Sequence, residues 1–474
     1  MHMRADMGLT ERLAGYFEFE ELGTDLRTEV VAGVSTFLTM SYIVFVNPGI
    51  LVGIEGEKPG IVVDGVSYAQ TLQMVAVVTL VAAAVATLTM ALYANRPFGQ
   101  APGLGLNAFF AFTVVGALGV PWETALAAVV VEGLLFIVLT AVGAREYVIT
   151  VFPTPVKLAV GTGIGLFLAI IGLEAMGVVV ADPETLVTLG SVASDPVAVV
   201  SLVGLFLTFG LYARGVTGSV VVGILFTTVL GYLAARFGFG SADALVGNLN
   251  AGATYDVTPL AGAFVGGLSN VEPFAFALIV FTFFFVDFFD TAGTLVGVSQ
   301  VAGFLDEEGD LPDIDRPLMA DAVGTTVGGM LGTSTVTTYI ESAVGVEEGG
   351  RSGMTALVVA LLFLAALAVV PLAAAIPLYA SHIALVVIGV VMLRNVVEVA
   401  WDDLTAAIPA GMTVLIMPFT YSIAYGIAAG IVTYPLVKLA AGRVDETRPG
   451  HWVLAGAFVV YFFVRTSGVL AGAV

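Results

Sequence analysis

Residues 97–112 read PFGQAPGLGLNAFFAF and residues 332–345 read GTSTVTTYIESAVG, and these two stretches decide the fold. Pro102, Gly103 and Gly105 break the helix in the first stretch, and polar Ser and Thr residues interrupt the second. We predict that each is an extended piece followed by a half-helix near the middle of a membrane. Such breaks are tolerated at that depth only where they line a cavity or are buried in protein. The half-helices bring unpaired N–H groups and positive dipole ends to that place.

The composition supports a membrane location for these stretches. The chain has 474 residues, of which 58% are hydrophobic and 11% are charged. Soluble domains are about 45–50% apolar and about 25% charged, so an ordinary cytosolic enzyme, a disordered protein and a nucleic-acid binder are excluded. One spanning helix with its connection takes roughly 30–35 residues, which predicts an all-α polytopic membrane protein with about 14 transmembrane spans.

The charge is strongly one-sided, with 37 acidic against 16 basic residues and a net charge of −21. We interpret the acidic loops as an adaptation to high salt, as in a halophilic, archaeal-like acidic proteome, because screening makes dense charge tolerable there. An acidic lineage without halophily is the alternative. The chain has no cysteine and only three histidines. It also lacks a phosphate loop and metal-ligand spacing, so we predict no cofactor, no metal and no enzymatic activity.

Apolar runs mark the predicted spans. If the N-terminus is cytoplasmic, most Lys and Arg residues lie inside, with Lys58 and Arg236 among the exceptions, in agreement with the positive-inside rule. A further stretch, 452–464, either lies in the interface or crosses the membrane. The predicted spans are 28–46, 71–92, 102–117, 121–142, 155–178, 197–213, 217–235, 273–291, 318–332, 338–349, 354–376, 381–397, 406–421 and 423–441.

These spans divide equally into two halves with an odd number of crossings, so the second half is inverted relative to the first. Inverted repeats are the plan of many secondary transporters. The predicted organisation is a cytoplasmic segment 1–27, a first seven-span repeat 28–235, an external connection 236–272, a second seven-span repeat 273–441, and a C-terminal segment 442–474 that contains an interfacial or extra helix.

Two acids stand out in the eighth predicted span, 281-FTFFFVDFFDTAGT-294. Asp287 and Asp290 are three residues apart and therefore share one face of a helix. Desolvation and mutual repulsion prevent both from being ionised cheaply, so we expect at least one to bind and release a proton near neutral pH. Proton-coupled transport needs such a group. The alternative is a polar pair that is tied to the backbone or to Thr291 and Thr294 and only fixes this helix.

The broken stretches hold two further candidates, Glu341 and Asn107, each near the start of a half-helix. An acid within an apolar run is a functional candidate by default. Thr338-x-x-Glu341 also matches a capping box, in which the glutamate caps its own helix, and Asn is at home in turns beside glycines. Aromatic rings beside carboxylates suit a flat, hydrogen-bonding aromatic ligand, which makes Phe284 a candidate, although most such rings are core or face lipid.

Several long motifs resemble the AzgA-like purine permeases, a branch of the nucleobase–cation symporters related to the uracil and xanthine/uric acid permeases. The resemblance covers most of the chain. Besides the two opening stretches, it is carried by 23-GTDLRTEVVAGVSTFLTMSYIVFVNP-48, 286-VDFFDTAGTLVG-297 and 408-IPAGMTVLIMPFTYSIAYGIAAG-430.

The resemblance implies a fold of 14 spans with a core domain (spans 1–4 and 8–11) and a gate domain (spans 5–7 and 12–14). The third and tenth segments would pair as short antiparallel strands. It also implies a multi-pass protein of the cytoplasmic membrane, often a homodimer, that imports adenine, guanine or hypoxanthine with a cation. That cation is usually a proton, and sodium stays open.

The resemblance also assigns roles to residues. Glu341 would hydrogen-bond the base, and Asp287 would act in binding and proton coupling. Together with the residue-based candidates, this gives Glu341, Asp287, Asn107, Phe284 and Thr338 as predicted substrate-binding residues. Asp287, Asp290 and Glu341 are the predicted proton-coupling residues. The alternatives are a xanthine or uracil carrier or a sulfate-type anion carrier on the same fold, and an intramembrane enzyme that uses the two aspartates.

Overall fold

The computed structural model describes residues 9–54, 56–143, 152–248, 252–269, 271–306 and 311–466. Of the predicted terminal segments, residues 1–8 and 467–474 lie outside the described residues. Helices make up most of what is described. They are α1 (Leu9–Tyr16), α2 (Phe19–Leu22), α3 (Leu26–Met40), α4 (Ile43–Leu51), α5 (Tyr68–Thr89), α6 (Leu104–Ala108), α7 (Trp122–Ala141), α8 (Thr154–Ala175), α9 (Pro196–Ala213), α10 (Ser219–Arg236), α11 (Ala242–Leu245), α12 (Phe264–Gly267), α13 (Pro273–Ala302), α14 (Asp315–Leu331), α15 (Ser342–Glu347), α16 (Gly353–Ala365), α17 (Pro371–Ala375), α18 (Leu378–Met392), α19 (Leu404–Thr420), α20 (Ile423–Ala440) and α21 (Pro449–Thr466).

Short strands and non-α helical turns complete the described chain. The strands are β1 (Gln100–Pro102), β2 (Val179–Asp182), β3 (Leu186–Leu189) and β4 (Val336–Thr338). Strands β2 and β3 form an antiparallel hairpin between α8 and α9 that the sequence did not predict. The other turns are the π-helical segments Met90–Ala94 and Phe109–Ala117, which continue α5 and α6, and the 3₁₀ segments Ala366–Val369, Leu393–Glu398 and Val444–Glu446.

Nine helices within the described ranges are long and apolar enough to cross a membrane by length and composition. Four apolar helices are shorter: Leu104–Ala117, Gly353–Val369, Leu404–Thr420 and Pro449–Val460. This agrees with a mostly helical, multi-pass membrane protein, whereas the count of 14 spans and the inverted repeat stay predictions. The nine are Leu26–Leu51, Tyr68–Ala94, Trp122–Ala141, Thr154–Ala175, Pro196–Ala213, Ser219–Arg236, Pro273–Ala302, Leu378–Glu398 and Ile423–Ala440.

The described residues form two compact units. The first lies within Met1–Ala141 and Gly172–Val387, and the second within Val142–Ile171 and Ile388–Val474. All of the predicted site residues belong to the first unit.

The two opening stretches contain the predicted breaks. Strand β1 precedes α6, and β4 precedes α15. The strands pair antiparallel, with Gln100 opposite Thr338 and Pro102 opposite Val336, as the resemblance implied. Backbone bonds continue the pairing at both ends, because Gly103 N–H donates to the Thr335 carbonyl at 3.0 Å and Tyr339 N–H to the Gly99 carbonyl at 3.0 Å. The extended backbone is thus satisfied within the protein, as it must be at membrane depth.

In the first unit, α7 packs against both α13 and α14. A glycine permits the close approach to α14. A Cβ atom on Gly133 would lie 2.5 Å from Thr326 Oγ1 and 2.7 Å from the Thr326 backbone nitrogen. Backbone atoms on a packed helix cannot move aside cheaply, so the absence of a side chain at Gly133 sets the spacing of the two helices.

In the second unit, α19 and α20 pack against each other. Beyond α20, Arg443 Nη1 pairs with Asp403 Oδ2 at 3.0 Å, and Lys438 Nζ pairs with Glu446 at 2.5 Å. Hydrogen bonds from the Thr405 hydroxyl and backbone, aided by Arg443, lower the pKa of Asp403 to about 2. Because of this low pKa, Asp403 keeps its ion pair with Arg443 at any physiological pH. Asp403 also caps the start of α19.

Gly133→Ala tests the α7–α14 packing. The added methyl group must displace backbone atoms of Thr326, so we expect a loss of about 1–3 kcal/mol of folding free energy. Thermal unfolding in detergent, followed by fluorescence-detected size exclusion, measures it as a lower midpoint.

The matched control is Gly210→Ala on α9, where a Cβ atom would meet nothing within 4 Å. There the substitution removes glycine from a helix, so the midpoint should stay or rise. Equal midpoints for the two variants would contradict the packing account.

Candidate functional site

Asp321 ties the strand crossing to helix α14. Its Oδ1 atom accepts from the Thr338 backbone N–H at 2.8 Å, the Thr338 hydroxyl at 3.1 Å and Gln100 Nε2 at 3.0 Å. Its Oδ2 atom accepts from the Thr291 hydroxyl at 2.9 Å. The side chain is fully buried. A single carboxylate therefore binds both strands and helix α13, and its four donors compensate for its burial.

Glu341 occupies the first turn after the crossing, at the N-cap position of α15, and its side chain makes no capping hydrogen bond. Instead, Glu341 Oε1 accepts from the Tyr42 hydroxyl at 2.6 Å. The alternative interpretation as a capping box is therefore wrong for this geometry, because Thr338 lies in β4 and donates to Asp321. Glu341 is half-buried, whereas Tyr42 is almost completely buried. The carboxylate is thus held by Tyr42 through one oxygen, while the residue as a whole keeps partial exposure.

The two aspartates of α13 differ in depth. Asp287 is fully buried and lies 3.2 Å from the Thr325 hydroxyl through Oδ2. Asp290 is half-buried and interacts electrostatically with Glu341. The alternative in which Thr291 holds the pair is not what the structure shows, since the hydroxyl of Thr291 donates to Asp321.

Glu132 on α7 is a further acid that the sequence analysis missed. Glu132 is fully buried. Its carboxyl group contacts that of Asp287 and interacts electrostatically with Asp321. The signal was available, because Glu132 is an acid inside the predicted span 121–142. Asp321 likewise lies inside the predicted span 318–332. The sequence could not tell which distant spans bring their acids together.

The remaining predicted residues hold the crossing or pack the helices around it. Asn107 is fully buried, accepts from the Ser334 hydroxyl, and contacts the Pro102 carbonyl through Nδ2 at 3.4 Å. Phe284 packs edge-on against Phe136, with the ring centroids 5.6 Å apart. Thr338 is engaged with Asp321, as described above. The structure thus brings Glu341, Asp290 and Asp287 together and places Asn107, Thr338 and Phe284 in supporting contacts.

The site is unusual in its charge. Five carboxylates lie in one connected group, and within the described part of the chain none of them forms an ion pair with Lys or Arg. Among the residues that the structure describes, no group of three or more His, Cys, Asp or Glu side chains is arranged to hold a metal ion. Two acids are half-buried and three are fully buried. The group therefore has an accessible layer, Glu341 and Asp290, and an inner layer, Asp287, Asp321 and Glu132.

Comparison with known proteins now adds to this geometry. A family model described as the permease family, Xan_ur_permease, matches residues 27–429. This chain belongs to that permease family. Permeases are transporters, so the expectation that the protein is not an enzyme is confirmed.

The chain is similar over nearly its whole length to named permeases. It is 44% identical to a putative permease of Methanocaldococcus jannaschii, over 96% of this chain and 98% of that protein. It is 39% identical to the adenine permease AdeP of Escherichia coli, over 96% of each chain. It is also 39% identical to the guanine/hypoxanthine permease PbuG of Bacillus subtilis, over 94% of this chain and 98% of that one.

Solved structures of low identity share the fold. The transmembrane domain of the cyanobacterial bicarbonate transporter BicA aligns with a TM-score of 0.58 at 18% identity, over 88% of this chain and 97% of that one. The structure of SLC26A9 aligns with a TM-score of 0.58 at 12% identity, over 91% and 69% of the two chains. At this identity the similarity concerns the fold alone.

Asp321→Ala tests the tie at the crossing. It leaves the Thr338 N–H and the Gln100 amide buried without an acceptor, at about 1–3 kcal/mol each. Asp321→Asn keeps the accepting Oδ1 atom, and the Thr291 hydroxyl can rotate to accept from the new amide. We therefore expect a strongly lowered thermal midpoint for Asp321→Ala and a nearly unchanged one for Asp321→Asn.

Asp64→Ala, at an exposed loop acid, controls for loss of negative charge. If Asp321→Asn were as destabilising as Asp321→Ala, the charge and not the acceptor geometry would hold the crossing.

Proposed function

We propose that this permease imports purine nucleobases, of the hypoxanthine, adenine and guanine class, together with protons across the cytoplasmic membrane. The observation that carries the proposal is Glu341: a partly exposed acid at the start of a broken helix, held by Tyr42 and backed by further acids. The names of the bacterial relatives, an adenine permease and a guanine/hypoxanthine permease, support the choice of substrate.

The chemistry of Glu341 fits a purine. A carboxylate accepts hydrogen bonds on both oxygens, and each oxygen has two lone pairs. Tyr42 uses one of these positions, which leaves capacity for two adjacent N–H groups of a base. A paired contact of this kind is directional and discriminates well. Asn107, Thr338 and Phe284 would then contribute mainly by holding the broken segments in place around the base.

An anion as substrate fits this site poorly, although the similar solved structures include a bicarbonate transporter. Carboxyl groups offer an anion no positive partner, and within the described residues no Lys or Arg pairs with them. A neutral base that donates hydrogen bonds needs no such partner.

The proposed cycle uses the predicted architecture of 14 spans in two inverted repeats, with the N-terminus in the cytoplasm. Asp287 takes a proton from outside, the proton favours the loaded site, and the core domain moves against the gate domain in a rocking or elevator motion. The proton and the base then leave inside. A homodimer through the gate domain and a high-salt habitat belong to the same proposal, and the habitat makes sodium the alternative coupling ion.

Uptake into proteoliposomes tests the function. Radiolabelled hypoxanthine, adenine, guanine, xanthine, uracil and bicarbonate should be offered under an imposed proton gradient and, separately, an imposed sodium gradient. We expect accumulation of a purine base that depends on the proton gradient. Bicarbonate uptake without purine uptake would overturn the proposal. Purine accumulation driven by the sodium gradient alone would show that sodium, and not the proton, is the coupling ion.

Glu341→Gln should reduce purine uptake at least about a hundredfold, because the amide offers one acceptor oxygen and a donor that faces the N–H groups of the base. Glu347→Gln, an exposed acid on the same short helix, is the matched control and should transport normally. Tyr42→Phe should give an intermediate loss. Normal uptake by a folded Glu341→Gln protein would remove Glu341 from the site.

Asp287→Asn should block or uncouple proton-linked uptake, since an amide cannot bind and release the proton. The readout is the pH dependence of uptake, compared with the wild type. If the pH dependence of a folded Asp287→Asn protein equalled that of the wild type, Asp287 would have no part in coupling.

A further inference from the structure

Glu132 has no assigned role, and its surroundings are hard to reconcile with an ordinary ionised carboxylate. It is fully buried on α7, and neither of its oxygens has a hydrogen-bond donor among the described residues. The Oδ1 atom of Asp287 lacks a donor as well. These two carboxyl groups contact each other. A donor is therefore missing from both sides of the same contact.

The elements that pack on α7 supply no cation to this contact. Helix α13 contributes Asp287 and Asp290. Helix α14 contributes Asp321, and its one cation, Arg316, is exposed in the first turn. Helix α12 and the π-helical segment Phe109–Ala117 have no titratable residue. Two ionised carboxylates in contact, buried and without a counter-charge, would cost many kcal/mol. A proton between them removes one charge and supplies the missing hydrogen bond at once.

Asp321 shows that the missing donors are particular to this pair. It is as deeply buried, yet four donors satisfy its oxygens. The neighbouring acids therefore divide into one whose two oxygens both have donors and two that have at least one oxygen without a donor.

We propose that Glu132 and Asp287 share one proton and that Glu132 is the second half of the proton-binding site of this permease. The proposal rests on the proposed proton-coupled transport and adds to it a residue on a separate helix. The transported proton then resides on a pair of acids, so its affinity depends on how α7 and α13 pack, and not on Asp287 alone.

Thr325 provides a route from this proton to the substrate side. Its hydroxyl lies 3.2 Å from Asp287 Oδ2 and 2.9 Å from the carbonyl oxygen of Val336 in β4. A hydroxyl has one hydrogen to donate. When Asp287 is an anion, the Thr325 hydroxyl donates its hydrogen to Asp287. When Asp287 is neutral, the hydroxyl donates instead to the Val336 carbonyl of β4. Strand β4 leads directly to Glu341, so the state of the pair is coupled to the strand that positions the base. By linkage, the base then affects proton affinity equally.

Glu132→Gln is the informative variant. Its amide donates to Asp287 and carries no charge, and both changes favour ionised Asp287. We expect the midpoint of pH-dependent purine binding to move at least about one unit toward acid, which is about a tenfold change in proton affinity. Purine uptake at pH 7.5 should fall about tenfold or more and recover at lower pH. Equilibrium binding of the radiolabelled base to the purified protein measures the midpoint.

Three further variants sharpen the test. Glu123→Gln, a substitution of the same type on the same helix, should keep the wild-type midpoint. Asp287→Asn leaves Glu132 with an amide donor and should move the midpoint in the same direction. The double variant Glu132→Gln/Asp287→Asn should show no pH transition in this range. Its loss of purine binding at pH 7.5, as a free energy, should be smaller than the sum of the two single losses, because the residues act as one site.

An unshifted midpoint in Glu132→Gln would overturn the proposal, and so would additive losses of purine binding at pH 7.5 for the two substitutions. Since glutamine is isosteric and supplies the missing donor, the proposal also requires Glu132→Gln to fold; a misfolded variant beside a folded Glu132→Asp would count against it.

Infrared difference spectra between acid and alkaline pH give a reading that needs no transport. The band of a protonated carboxylic acid present in the wild type should shrink in Glu132→Gln. If the wild type binds no purine while this band behaves as expected, the proposed function fails and the shared proton stands. If purine uptake is proton-driven and the band is unchanged in Glu132→Gln, the shared proton fails alone.

Discussion

The pairing of two three-residue strands is the interaction on which the rest of the site depends. Strands β1 and β4 interrupt helices where no water can satisfy an open backbone, so each must find its partner in the other. Asp321 then fastens both strands to α14 through three hydrogen bonds on one oxygen. The crossing therefore sets where α6 and α15 begin within the buried interior, and with it the position of Glu341.

The crossing also explains why the site can hold so many acids. The cost of burying each carboxyl group is offset in a different way. Asp321 has four hydrogen-bond donors, Glu341 has the Tyr42 hydroxyl and partial exposure, and Asp290 has partial exposure. Both oxygens of Glu132 and the Oδ1 atom of Asp287 have no donor among the described residues, and the proposed shared proton would supply one. The crossing thus separates an acid that fixes the strands, the acid proposed to bind the base, and the pair proposed to hold a proton.

Much of this could be predicted from the sequence, and the part that could not has a physical cause. Helix-breaking residues in 97–112 and 332–345 gave the two breaks, and the spacing of Asp287 and Asp290 gave their shared face. Contacts between residues far apart in the chain could not be predicted. Nothing local to Glu132 indicates that α7 packs on α13, and nothing local to Tyr42 indicates a bond to Glu341. The alternative of a capping box at Thr338-x-x-Glu341 is wrong because the Thr338 hydroxyl donates to Asp321 on another helix.

The position of a bound purine in a structure of the protein decides whether Glu341 is the substrate-binding residue. We expect the base beside α15, with its N–H groups within about 3 Å of the Glu341 carboxylate, and Asp321 still hydrogen-bonded to both strands. A base bound elsewhere in the chain, with Glu341 bonded only to Tyr42, would contradict this assignment.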